Sequence, residues 1–456
     1  MSYEEVRCVS ISAVQPSSHN ETTNKRIELN VWDLKTLPYL YMQRGLLFAR
    51  HKSDEQSKQE ETNIIITHLK TSLSYTLNHF FPLAGRLAVE KHDDDTISVY
   101  INCNSVGAEF IHAAADITIA DILDPVYVPR IVTSLFSLNG VVNYEGRAQP
   151  LLSIQVTELI DGIFLGCSMN HTVCDGTSFW HFLNSWSEIS RSGTNVILSP
   201  PIHERWFLNN TNCPIRLPFS HDELLGKGNT LLRFEVRIFH FKPENIARIK
   251  AKANSKSQTN NSISSLQALF AHIWVAVTRA RRLDPNEETS FWLVIGNRAR
   301  LNPPLPEAYF GNSIQFEVAT TKAGELLEKG IGLGASLLNQ VVMSQDEEAI
   351  RNSWDSWAEK PAFLFPDDNV VSPTYTLIAG ESPRFNIYGN DFGWGRPIAM
   401  RGGLSTMFDG KISSVPGPTE GSIDIELCLS LETLKAMGND TEFMEAVTVL
   451  TPFRSS

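Results

Sequence analysis

Apolar positions recur along this chain with two periods. Leu69, Leu73, Leu77 and Phe80 are spaced 4, 4 and 3 residues apart, which places them on one face of a helix. Leu152, Ile154 and Val156 alternate with Ser153, Gln155 and Thr157, the period of a half-buried strand. Ile163, Leu165, Cys167, Met169 and His171 share one parity and predict a second strand directly after it. A short loop and a helix follow, with Thr177 as the expected N-cap and Phe179, Phe182, Leu183, Trp186 and Ile189 as the apolar stripe. The second half shows the same mixture. Ser264-x-x-Gln267 reads as a capping box ahead of the stripe Leu266, Leu269, Phe270, Ile273, Trp274 and Val277. Phe291–Ile295 predicts a short strand ending at Gly296-Asn297-Arg298, before a turn rich in proline (Pro303, Pro304, Pro306). Ile314–Val318 is expected as a strand and 324–342 as a helix. The pattern predicts an α+β protein, while sheet order and strand direction cannot be read from it.

The periodicity weakens between Ser190 and Asn229. Pro200, Pro201, Pro214 and Pro218, the cluster Asn209–Asn212, and Gly226 and Gly228 mark a linker there. The expected layout is therefore a domain over 1–190, a linker over 191–229 and a domain over 230–456. Lys250–Asn261, rich in Ser, Asn and Lys, reads as an exposed loop.

Composition narrows the function classes. The 456 residues leave room for about two or three domains with full cores. Hydrophobic content of 42% with 20% charged residues excludes a disordered chain. The 39 Lys+Arg against 51 Asp+Glu give a net charge of −12, which argues against nucleic acid or an anionic membrane as a bulk partner. A small anionic ligand would need only a local basic patch. The start, Met1 to Arg7, is acidic and lacks the apolar core of a signal peptide. The best apolar region, 151–169, is broken by Glu158 and Asp161, so no membrane span is expected. Cys8, Cys103, Cys167, Cys174, Cys213 and Cys428 form no C-x-x-C pair and are expected as reduced, buried thiols of a cytoplasmic protein. His181, His203 and His272 stand isolated, so no metal site is expected.

The most informative stretch is His171-Thr172-Val173-Cys174-Asp175-Gly176, at the end of an expected strand. Two readings of these residues stay open. His171 is a core histidine bonded to backbone, with Asp175 a turn or cap residue. Alternatively His171 is a general base, since an imidazole titrates near neutral pH and the strand–loop–helix mount is rigid. Far downstream lies Asp391-Phe392-Gly393-Trp394-Gly395. With this pair of motifs, the chain resembles the plant BAHD acyltransferases, whose signatures are H-x-x-x-D near the middle and D-F-G-W-G near the C-terminus. Further blocks carry the resemblance along the whole length: Leu69–Ser74, Phe81–Leu87, Arg298-Ala299-Arg300 and Tyr309-Phe310-Gly311-Asn312. Ser382-Pro383-Arg384-Phe385 ahead of Asn390 is most similar to an acetyltransferase-like subgroup.

The resemblance implies two chloramphenicol-acetyltransferase-like domains, with mixed β-sheets flanked by helices. A long crossover loop would join them, and an active-site channel would run between them. Acyl-CoA, the co-substrate, would enter from one face and a small-molecule acceptor from the other; no permanently bound cofactor is implied, and a monomer is expected. His171 would take the acceptor's proton and then protonate the departing CoA sulfur, leaving Cys174 a packing role. Asp175 would pair with Arg298 to hold the catalytic loop. Asp391, Gly393, Trp394 and Gly395, with Phe392, would be structural. Ser264, Ile295, Gly296 and Arg396 would lie on the CoA side, with Arg401, Lys411 and the lysines of 250–256 as further basic candidates. Two positions depart from the family pattern. Ser382 stands where many members place an acceptor-lining tryptophan, and Gly296 where many carry an aspartate. The implied activity is transfer of acetyl or another small acyl group to a hydroxyl or amine of a plant specialised metabolite. One alternative is a CoA-independent lyase acting on a salicylate precursor, which goes with loss of the motif histidine. Another is a non-catalytic metabolite-binding relative. A carrier-protein condensation domain would have a second histidine where Asn170 stands.

Overall fold

The structure is a computed structural model that describes residues 5–18, 25–50, 55–208, 211–225, 234–257, 262–363, 375–449 and 453. Two six-stranded mixed sheets and one three-stranded sheet form its frame. The first sheet runs, in spatial order, Arg7–Val14, Ala108–Ala114, Leu152–Glu158, Gly162–Met169, Met42–Ala49 and Ala399–Gly402. The second runs Ile314–Lys322, Glu288–Gly296, Thr376–Gly380, Lys411–Pro416, Ile423–Ser430 and Phe234–Phe241. The last strand of the first sheet comes from the C-terminal half, paired antiparallel from Ala399↔Leu47 to Gly402↔Arg44.

The sequence periods resolve as elements. Leu69, Leu73, Leu77 and Phe80 are all fully buried, the first three on the helix Glu55–His79. Helix Ser265–Arg281 starts with a true capping box: Gln267 N donates to Ser264 Oγ at 3.2 Å, and Ser264 N donates to Gln267 Oε1 at 2.8 Å. Four expectations change. Strand Leu152–Glu158 is buried on both faces through Thr157 rather than half-buried. Its polar side chains face the 130–139 segment, where Gln155 Nε2 donates to Ser134 O at 2.9 Å and Ser137 Oγ to Ser153 Oγ at 2.7 Å. That segment also runs against the neighbouring strand, where a Cβ on Gly166 would sit 2.3 Å from Leu135 O. Helix Gly176–Ser192 begins one residue before Thr177, because Asp175 is the cap and accepts from Ser178 N at 3.1 Å. Residues 250–256 belong to helix Pro243–Lys256, whose seam Ile246, Ile249 and Ala253 outweighs its Lys- and Ser-rich composition. The remainder of that expected loop, 258–261, lies outside the described residues. Of the six free cysteines, Cys8 and Cys213 are exposed rather than buried.

Between Ser192 and the strand starting at Phe234 the described chain has little regular structure. Two isolated bridges, Ile97↔Leu217 and Ile202↔Tyr309, and helix His221–Leu225 tie it down; Asn209, Asn210 and 226–233 lie outside the described residues. Among the described residues no helix is long and apolar enough to cross a membrane.

Candidate active site

Strand Gly162–Met169 is buried at every position, and the chain leaves its end in a tight turn. Asn170 builds that turn: its side-chain oxygen accepts from Thr172 N at 3.0 Å, and its Nδ2 donates to Asn143 O at 2.7 Å. His171 N donates to Asn143 Oδ1 at 2.7 Å, so the backbone of the next residue is fixed as well. The imidazole points to the second half of the chain, where Nδ1 lies 3.1 Å from Asn312 Oδ1. His171 is half-buried, and among the described residues Nε2 has no hydrogen-bond partner. Burial lowers the imidazole pKa from its ordinary 6.5, partly offset by its hydrogen bonds and by the Asp175 charge. The ring is therefore mostly neutral at pH 7 and able to accept a proton at Nε2.

Asp175 faces away from that nitrogen. Arg298 grips it with two bonds, 2.6 Å to Oδ2 and 2.9 Å to Oδ1, and also donates to Ser178 Oγ at 3.1 Å. Ser313 N adds a bond to Asp175 Oδ2 at 3.0 Å. Burial pushes this carboxyl up, but Arg298 and the amide donors outweigh it and hold the pKa below the ordinary 3.8. The result is a desolvated, bidentate ion pair that pins the loop to the segment 309–313. Cys174, buried between the two motif residues, directs its thiol at Met169 sulfur (3.0 Å), and burial keeps it protonated.

Asp391 to Gly395 has a different construction. Asp391 Oδ1 accepts from Gly393 N at 2.9 Å and from Gly395 N at 3.0 Å, closing a turn in which both glycines take positive φ, 113° and 109°. Phe392 is fully buried, 4.9 Å from Trp186, 6.0 Å from Phe48 and 5.7 Å from Trp394, centroid to centroid. Ser190 Oγ donates to Phe392 O at 2.8 Å. The turn thus docks on helix Gly176–Ser192, the helix that Asp175 caps.

The other expected site residues are spread around this centre. Ile295 and Gly296 end strand Glu288–Gly296, two residues before Arg298, with Gly296 paired to Ile314. The Ser382–Phe385 turn comes close to the loop, since a Cβ on Gly176 would sit 3.2 Å from the Phe385 ring. Arg396 is exposed just beyond the aromatic turn, and Ser264 caps a helix of the second core. Arg401 and Lys411 are not surface cations. Arg401 is buried; Lys411 is half-buried, and burial with the Arg44 charge beside it lowers its ammonium to about 7. Lys252 and Lys256, with Arg279 and Lys329, instead line a cavity of about 170 Å³ among the outer helices. The sequence reading assigned no role to Asp33, Asn143 or Arg205, and named Asn312 only as part of the block Tyr309–Asn312. That block was the one available signal.

The transferase family's profile matches residues 5–444. An uncharacterised acetyltransferase of Arabidopsis thaliana is 37% identical over 97% of this chain and 99% of its own length. A BAHD acyltransferase of the same plant, DCR, is 34% identical over 92% of this chain and 88% of its own. Among solved structures, F. sporotrichioides TRI101 complexed with coenzyme A and T-2 superposes with a TM-score of 0.71 at 17% identity, covering 93% of this chain and 99% of that one. The fold is the α+β arrangement of paired chloramphenicol-acetyltransferase-like domains. By profile and by full-length relatives, the chain belongs to this transferase family, the plant BAHD acyl-CoA-dependent acyltransferases.

Proposed function

We propose that this enzyme transfers acetyl or another small acyl group from acyl-CoA to a hydroxyl or amine of a plant specialised metabolite, with His171 as the general base. The observation that carries this reading is the half-buried imidazole at the seam of the two halves, with Nδ1 engaged by Asn312 and Nε2 free of protein partners among the described residues. Nε2 takes the acceptor's proton as the acceptor oxygen or nitrogen attacks the thioester carbonyl. The tetrahedral oxyanion then collapses, the carbon–sulfur bond breaks, and the imidazolium returns the proton to the CoA sulfur. No acyl-enzyme forms, in keeping with a Cys174 thiol held protonated by burial.

In this reading 1–190 and 230–456 are the two domains, 191–229 is the crossover, and the enzyme works as a cytoplasmic monomer. Acyl-CoA approaches on the side of Ser264, Ile295, Gly296 and Arg396, and the acceptor on the side of Ser382. The exposed Arg396 is the local positive charge that a polyanionic co-substrate requires of an acidic protein. Support for the co-substrate comes from the TRI101 structure, which was solved with coenzyme A. The lyase alternative goes with loss of the motif histidine, and His171 is retained here.

The test is incubation with acetyl-CoA and other short acyl-CoAs against a panel of hydroxylated and amino metabolites, following free CoA thiol. Thiol release that depends on both acceptor and His171 is expected. No release with any pairing would sink the reading.

A further inference from the structure

Behind His171 stand three residues that the proton transfer itself does not use. Arg205, from the crossover, donates Nε to Asp33 Oδ2 at 2.7 Å, and the two side chains are 1% and 0% exposed. Its remaining nitrogens donate to the backbone oxygens of Val173, at 2.8 Å, and of Phe310. Asp33 Oδ1 accepts from Asn312 N at 3.0 Å and from Asn312 Nδ2 at 2.9 Å. Asn312 Nδ2 also donates to His171 O at 2.7 Å, and Asn312 Oδ1 meets His171 Nδ1 at 3.1 Å.

These contacts leave one orientation to each group. Asp33 meets donors on both oxygens, Arg205, Asn312 twice and Asn30 N at 3.3 Å, so it sits as a carboxylate. Burial pushes that carboxyl above its ordinary 3.8, a rise that the Arg205 charge and the Asn312 and Asn30 donors only partly offset. An amide has donors on nitrogen and acceptors on oxygen. Asn312 Nδ2 faces two acceptors, so its oxygen must face the ring. A ring nitrogen that faces an acceptor carries the proton, and in a neutral imidazole the other nitrogen then holds the lone pair. Flipping the amide would set its oxygen against the buried Asp33 carboxylate and the His171 carbonyl, acceptor against acceptor.

We infer that Asn312, held by the buried Asp33–Arg205 ion pair, joins the His171 carbonyl as an acceptor and fixes His171 as the Nδ1–H tautomer. Asn312, Asp33 and Arg205 are thus positioning residues for the base. The inference rests on the general-base reading of His171. During transfer the Nδ1–H bond is untouched: Nε2 gains the acceptor's proton, gives it to the CoA sulfur and recovers its lone pair. No proton passes through Asn312. The crossover takes part in the site, because Arg205 ties it to the catalytic loop at Val173 and to the Asn312 segment at Phe310.

The test is ¹⁵N imidazole NMR on the full-length, histidine-labelled protein near pH 7.5, with His171 identified as the signal missing from His171→Gln. Wild type should carry its proton on Nδ1. Asn312→Ala keeps only the ring's bond to its own carbonyl, so the share of the Nε2–H form should rise, and kcat should fall by about ten- to a hundredfold while KM for acetyl-CoA stays within about twofold. Asn312→Asp keeps an acceptor at Nδ1, and its other oxygen, set against Asp33, must carry a proton, so the tautomer and the acidic limb of kcat/KM should both stay close to wild type. A wild-type proton on Nε2 overturns the inference, and so does Asn312→Ala with a wild-type tautomer and pH profile. If Asn312→Ala fails to fold, the wild-type spectrum and the Asn312→Asp profile decide. An active His171→Gln would instead overturn the general-base reading, with the tautomer still settled by the spectrum.

Discussion

The two motifs of this chain are equally visible as strings of letters, yet they are built from different physics. The His171 loop is a polar construction. Asn143 fixes its backbone, Arg298 grips Asp175, and Asp33 with Arg205 stands behind Asn312, nearly all of it away from water. The Asp391 turn is an aromatic plug. One carboxylate oxygen closes the turn, and Phe392 and Trp394 supply the packing. Both converge on helix Gly176–Ser192, one through the cap at Asp175 and the other through Trp186 and Ser190. Buried charge can aim a side chain because each bond has one permitted partner. An apolar plug tolerates some change of shape and serves as a mount.

Substitutions should separate the two regions by what they damage. The largest effect is on rate: His171→Ala should lower kcat/KM by about 10²–10⁴-fold with a melting temperature close to wild type, followed by thiol release and thermal unfolding. Asp175→Asn should damage both properties. It leaves the Arg298 charge buried against a neutral amide, and breaking such a pair from one side costs about 3–5 kcal/mol. Equal rate loss with unchanged stability and loop structure would make Asp175 a chemical partner of His171 and collapse the contrast. Phe392→Ala, at a fully buried ring, should cost about 3–5 kcal/mol in urea unfolding while the folded fraction keeps most of its kcat. Gly393→Ala forces a side chain to φ 113°, which costs about 1–3 kcal/mol, again on stability first.

Legibility in the sequence follows the same division. Apolar periods located the strands ending at Glu158 and Met169 and the helices on either side, because burial on one face leaves a regular trace. The same logic understated Leu152–Glu158, whose polar face is covered by a segment with no period of its own. It also missed helix Pro243–Lys256, where solvent-facing Lys and Ser outnumber three seam residues. The strand Ala399–Gly402 was illegible because its partner lies far away in the chain, at Met42–Ala49. The deepest omission is Asp33 with Arg205. A buried ion pair looks in sequence like any two surface charges, and only the fold brings residues this far apart to 2.7 Å.

The smallest expected effect concerns pH, and it distinguishes the two members of one motif. The His171 pKa lies below 6.5, so most of the imidazole is already neutral at pH 7. Raising the pH from 7 to 8 should then increase kcat/KM by less than about 1.3-fold, and the acidic limb should fall below the ordinary imidazole value. Stability follows the same sign. A depressed folded-state pKa means that folding favours the neutral ring, so this contribution is present above 6.5 and is lost as pH falls through the folded value. Asp175 is likewise depressed, but from 3.8, so its contribution persists through the range in which His171 titrates and is lost only under stronger acid. A pH series of kcat/KM beside thermal unfolding should therefore show activity declining first, with the Arg298-held loop still folded. If rate and stability instead fall together over one interval above pH 5, the base and its anchor titrate as a single unit, and the separation between aiming group and mount does not hold inside this loop.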